Sequence, residues 1–142
     1  MDISKVQELF ERAVKANLDG TDFIAGFSDS ELAAGYNGIG PEFLPAPLRA
    51  KTTRYLAIFE PAALIHDMRN HVGDATRRAF DFANLEFREN CLKLADLAYP
   101  WYSWRRYRAR AVALLLFEFV QGAPGWIAWI EASSKNLNKE SN

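Results

Sequence analysis

Residues 75–98 read ATRRAFDFANLEFRENCLKLADLA, and their spacing decides the fold. Phe80, Asn84, Phe87, Cys91, Leu94 and Ala98 follow one another at alternating steps of four and three, which places them on one face of a helix. Asp74 is suited to cap this helix, predicted over Ala75–Ala98, and Pro100 closes it. Asn84 is the misfit, an amide within an apolar stripe. A buried Asn must be hydrogen-bonded, and it can both donate and accept. Two readings stand: Asn84 meets a polar side chain on the neighbouring helix, or it bonds a backbone group and fixes helix register.

Working outward, the preceding element is predicted helical from Leu48 to Phe59. Pro61 disfavours helical geometry at Glu60 and starts a new helix, Ala62 to about Asn70, which Val72-Gly73 breaks. An amphipathic helix is predicted over Ile3–Leu18, from the spacing of Val6, Leu9, Phe10, Ala13, Val14 and Leu18. Between these, Thr21 to Pro47 is rich in Gly and Pro, with only Ser30–Ala34 suited to a helical turn. So long a connection is seldom kept merely to join two elements. On the C-terminal side a helix is predicted over Trp101–Val120, stopped by Gly122, Pro124 and Gly125, with Trp126–Ile130 as an extra turn. No period-2 strand appears. The reading is an all-α bundle of about four to five helices with one long loop, a single domain over residues 1–132, and a polar, frayed tail from Ser133.

Composition agrees with one globular domain: 142 residues, 49% apolar and 25% charged. Formal charge is −1, from 17 basic and 18 acidic residues. There is no global field for nucleic acid, so a nucleic-acid partner is not expected and any electrostatic partner must be read from a local patch. The one cysteine, Cys91, excludes an internal disulfide framework and a Cys-based zinc site. Met1-Asp2-Ile3-Ser4-Lys5 lacks a signal-peptide pattern. The longest apolar run, Ala111–Phe117, falls far short of the roughly 20 residues of a membrane span.

Two further places carry chemistry. His66-Asp67 lies on a largely apolar helix, where an imidazole and a carboxylate both need partners. Adjacent helical residues diverge by about 100°, so the two project to neighbouring places. The alternative is a core histidine bonded to a carbonyl, with Asp67 solvated or paired to Arg69 or His71. The other place is Tyr36-Asn37-Gly38-Ile39-Gly40-Pro41. It follows no strand and lacks the third glycine of a dinucleotide loop, so it does not cradle phosphate in that manner. Alternate glycines can turn successive carbonyls toward one point, a donor set suited to calcium. An ordinary tight turn is the other reading.

Taken in order, these elements resemble the phospholipase A2 superfamily, in its compact, disulfide-poor bacterial and parvoviral capsid forms. Tyr36-Asn37-Gly38-Ile39-Gly40 matches the Tyr-x-Gly-x-Gly loop, His66-Asp67 the His-Asp pair, and Asn84-Leu85-Glu86-Phe87 the Asp-x-x-Phe of the second helix, with Asn for Asp. The likeness spans about Gly35 to Cys91. It implies a calcium-dependent lipid esterase in which His66 is the general base, Asn84 orients its ring, and Ca2+ is held by Asp67 and the carbonyls of Tyr36, Gly38 and Gly40. Asn70 stands where that family usually has tyrosine. Asp81, one turn before Asn84, would serve in its place if the helix were slightly rotated. Small phage-encoded domains share the paired-helix pattern, so a catalytically silent interaction or structural domain is the alternative. Either would be cytoplasmic, or delivered by a phage or secretion machine.

The C-terminal helix interleaves Trp101, Tyr102, Trp104 and Tyr107 with Arg105, Arg106, Arg108 and Arg110. Such a mixture suits a phospholipid headgroup layer, and also RNA or a protein partner. The plain reading is a core stripe of Trp104, Ala111, Leu115 and Phe119 with snorkelling arginines. An HD-type phosphohydrolase is excluded because no histidine precedes His66. Cysteine catalysis is disfavoured because Cys91 lies in an apolar stripe.

Overall fold

The computed structural model describes residues 2–39 and 46–140. These residues are helical throughout their regular structure, in seven elements rather than four or five: α1 (Ile3–Lys15), α2 (Thr21–Ile24), α3 (Asp29–Gly35), α4 (Ala46–Val72), α5 (Arg77–Ala98), α6 (Trp104–Gln121) and α7 (Ala123–Glu140). The additional elements are α2, α3 and α7, the last two expected only as short turns, while the two predicted middle helices merge into α4.

α4 is the axis of the bundle. Ala62, Ala63, Leu64 and Ile65 are buried in succession, as expected of a helix that is apolar all round and packed on every side. α1, α2, α3, α5, α6 and α7 all pack against it. Pro61 does not break it. A proline has no N–H for the carbonyl four residues back, here Ala57. Arg12 of α1 supplies the missing donor, Nη2 to the Ala57 oxygen at 3.1 Å. α4 and α5 then run antiparallel, as His66 facing Asn84 and Tyr55 facing Tyr99 demonstrate.

The segment expected to be one irregular connection carries α2 and α3. Ser28 and Glu31 form a reciprocal capping box that starts α3. At its far end Gly35 lies so close to α4 that an added Cβ would sit 2.5 Å from Met68 Sδ, which seats the following residues directly over α4. Residues 40–45, with Gly40 and the first two prolines of the loop, lie outside the described residues.

α5 is capped by Thr76, not Asp74: Thr76 Oγ1 accepts from Ala79 N at 3.2 Å and donates to Asp74. The helical assignment continues past Ser133, where the sequence predicts a frayed tail, to Glu140. α6 and the stretch Ala123–Ser133 are bent by 59° at Gly122, and α7 folds back to Glu140. Trp129 is buried against Phe80 and donates Nε1 to the Asp74 carbonyl at 2.8 Å, while Ser133 donates to Gly73. No single helix is long and apolar enough to cross a membrane.

The buried face of α6 is Ala109, Val112, Ala113, Leu116 and Val120. Of the core stripe read as Trp104, Ala111, Leu115 and Phe119, only Phe119 packs on the core; the other three are exposed, Trp104 at 78%. Cys91 is fully buried, and burial pushes its thiol well above the ordinary range.

Asn90, on the same helix, clamps the turn after α1. Its Oδ1 accepts from Asp19 N at 2.9 Å and its Nδ2 donates to the Asp19 carbonyl at 2.8 Å, with no exposure to solvent. Asn90→Ala leaves both backbone groups unpaired and is expected to cost about 1–3 kcal/mol, read as a lower urea midpoint at unchanged slope.

Candidate active site

His66 and Asp67 come from the last two turns of α4, Asn84 from α5, Gln121 from the last turn of α6, and Asn37-Gly38 from the segment after α3. His66 Nε2 lies 2.8 Å from Asn84 Oδ1. Asn84 Nδ2 donates to Gln121 Oε1 at 2.8 Å and reaches the Val120 carbonyl at 3.4 Å. Gln121 Nε2 donates to Asp81 Oδ1 at 2.9 Å. Asp81 Oδ1 also pairs with Arg77 Nε at 3.4 Å.

The direction of this chain follows from its end. A carboxylate only accepts, so Gln121 must turn its NH2 to Asp81 and its oxygen to Asn84. Asn84 must then give its NH2 to Gln121 and its oxygen to His66. The imidazole must therefore carry a proton on Nε2, so in the neutral ring the lone pair lies on Nδ1. The same logic explains why position 84 holds an amide. At its Nδ2 place it faces two oxygens, Gln121 Oε1 and the Val120 carbonyl, and a carboxylate there would set oxygen against oxygen. Asp81 does not substitute for Asn84. It acts from two amides away.

His66 Nδ1 has no hydrogen-bond partner among the described residues. The nearest charged atom is Asp67 Oδ1 at 3.9 Å, beyond hydrogen-bond reach. Phe87 packs on the ring with centroids 5.0 Å apart. A cavity of about 330 Å³ opens beside these groups, its wall shared by His66, Asp67, Asn70, Asn37 and Gly38 on one side and Phe80, Leu116, Val120 and Trp129 on the other. Asn70 Oδ1 is buried in that wall with no hydrogen-bond partner among the described residues, one turn beyond His66.

Asp67 holds the loop. Its Oδ2 accepts from Asn37 N at 2.8 Å and Gly38 N at 3.1 Å, an arrangement in which successive amides cradle an anion. Gly38 has φ +80°, a left-handed conformation that glycine adopts without steric cost, so its place in the sequence is explained by backbone geometry. Tyr36 is buried, and burial, followed by the charges of Glu60 and Asp67, pushes its phenol above the ordinary range; it stays neutral across physiological pH.

The calcium set read from the sequence comprises Tyr36, Gly38, Gly40 and Asp67. Gly40 lies outside the described residues. Asn37 and Gly38 turn their N–H groups toward Asp67, and these two donors occupy its Oδ2. Among the described residues no group of three or more His, Cys, Asp or Glu converges. With two backbone amides on Asp67 Oδ2, no chemical step is routed through an ion. Added calcium is expected to leave the melting temperature unchanged; a rise that Asp67→Asn abolishes would show that the loop turns over to present its carbonyls.

Gln121 escaped the sequence reading. It is one polar residue at a helix end before Gly122, and only its contacts with Asn84 and Asp81 across the fold show it turned inward. No family model, curated protein or solved structure matches the chain.

Proposed function

We propose that the chain hydrolyses lipid esters in the manner of a phospholipase A2-like enzyme, with His66 as its general base. The observation that carries this reading is the one-way hydrogen-bond chain from Asp81 to His66, which engages Nε2 and leaves Nδ1 without a partner among the described residues, on a ring that lines an apolar cavity. A water between Nδ1 and a bound acyl group gives its proton to Nδ1 as its oxygen bonds the carbonyl carbon. The imidazolium that forms is stabilised through Nε2–H by Asn84, whose amide dipole is aligned by Gln121 and Asp81, and by Asp67 3.9 Å away. The tetrahedral carbon then expels the alkoxide, which takes the proton from Nδ1, and acid and alcohol leave. Phe80, Phe87, Leu116 and Trp129 offer the acyl chain an apolar wall.

Release of fatty acid from phospholipid mixed micelles, and of acid from a soluble short-chain ester, tests the reading on the unmodified protein. The second reading, a catalytically silent domain of the same build, is favoured by one observation: Asp67 is already engaged by two backbone amides, as a structural carboxylate would be. No turnover of either substrate, with or without calcium, supports that reading and overturns the proposal.

A further inference from the structure

The corner between α5 and α6 lies away from the cavity and has a character of its own. Trp101, Tyr102 and Trp104 are 73%, 72% and 78% exposed, and Tyr107 is 55% exposed. The rings are not loose: Trp101 meets Tyr102 edge-on at 5.7 Å, and Trp104 meets Tyr107 at 6.2 Å, on a helix start capped by Ser103. Large rings exposed in a group on a stiff element mark an interaction surface rather than scattered surface apolarity.

The charges around them are one-sided. Asp96 is the one acid between Glu89 and Glu118, and Arg106 and Arg110 both engage it, at 3.0 and 2.7 Å. That leaves Arg105 and Arg108, both exposed, without a carboxylate partner among the described residues. Leu97, 64% exposed, extends the corner to a groove that it shares with Lys15. The complement of this surface is apolar and anionic.

We propose that this corner docks the protein on an anionic lipid bilayer. Protein hot spots are aromatic and Arg residues set in well-packed pockets, whereas these rings project with most of their surface free. Projecting Trp and Tyr suit the headgroup layer, where one end of the ring is apolar and the other wet, and unpaired arginines suit lipid phosphates. Trp104 and Val120 are sixteen residues apart on α6, about 24 Å along a helix. Docking is thus a tether at one end of α6, separate from the cavity at the other, and does not depend on hydrolysis.

Co-sedimentation with vesicles tests this, using the full chain carrying His66→Gln so that turnover does not enter. Binding is expected to phosphatidylcholine vesicles containing phosphatidylglycerol, with a blue shift of tryptophan emission and weakening by salt. Phosphatidylcholine alone should bind at least about tenfold more weakly, as should the pairs Trp101→Ala/Trp104→Ala and Arg105→Glu/Arg108→Glu with anionic vesicles. No binding to anionic vesicles at low salt overturns the proposal. So does binding that survives both double variants, or a dimer in sedimentation equilibrium that the tryptophan variant dissociates. Turnover of the soluble ester is measured separately on the unmodified chain, so failure of docking and failure of the hydrolase reading are told apart.

Discussion

Replacing His66 by glutamine is expected to lower ester hydrolysis by about 10²–10⁴-fold, the usual contribution of a positioned general base, with little change in stability. Glutamine is close in size to histidine, and its NH2 can still donate to Asn84 Oδ1, so the polar chain to Asp81 stays satisfied. What is lost is the lone pair at Nδ1. The cavity and its Phe87 wall remain, so substrate binding should persist while turnover falls. Measuring kcat and KM on a soluble short-chain ester, beside thermal melts of both proteins, checks the split. A variant that keeps its turnover shows that His66 is a core histidine.

A comparable loss is expected from Asn84→Leu, which removes the acceptor at Nε2 without emptying the core. The ring is then free to carry its proton on Nδ1, and a histidine in that tautomer offers the cavity a donor instead of a base. In a serine-protease triad the wrong tautomer costs about 10⁴ in turnover, and Asn84→Leu should approach that figure. Gln121→Leu should fall between this variant and the unmodified chain. It severs the link to Asp81, but the Val120 carbonyl 3.4 Å from Asn84 Nδ2 still orients the amide. The ordering of the two variants, read as kcat/KM, is the check. Equal turnover in all three proteins would show that the chain of amides only fixes helix register.

Much of the site was legible because it broke a pattern. Asn84 is a polar residue in an apolar stripe, and a buried amide must find partners, so spacing offered His66 on the antiparallel neighbour as one of two readings, and contacts across the fold chose it. The use of Asp67 by the Gly38 turn was legible only as proximity. Spacing does not tell whether carbonyls or amides face a carboxylate, and here the amides do.

Other features depended on contacts made across the fold. Pro61 reads as a break because its own helix cannot satisfy the Ala57 carbonyl; Arg12, forty-five residues earlier, does so. The helical continuation past Ser133 depends on Gly73 and Asp74, which receive Ser133 and Trp129. α6 misled for a different reason. Its run from Ala111 to Phe117 is apolar on every side, so periodicity could not choose the buried face. Neighbours chose it, and the rings of Trp104 and Tyr107 were left outside.

The claim beneath this account is the protonation pattern of one imidazole, and long-range 1H–15N correlation of the His66 ring measures it directly. At a pH where the ring is neutral, the folded protein is expected to show Nε2 protonated and Nδ1 bare, with the preference weakened in Gln121→Leu. A ring protonated on Nδ1, or an even mixture of tautomers in the unmodified chain, would contradict it.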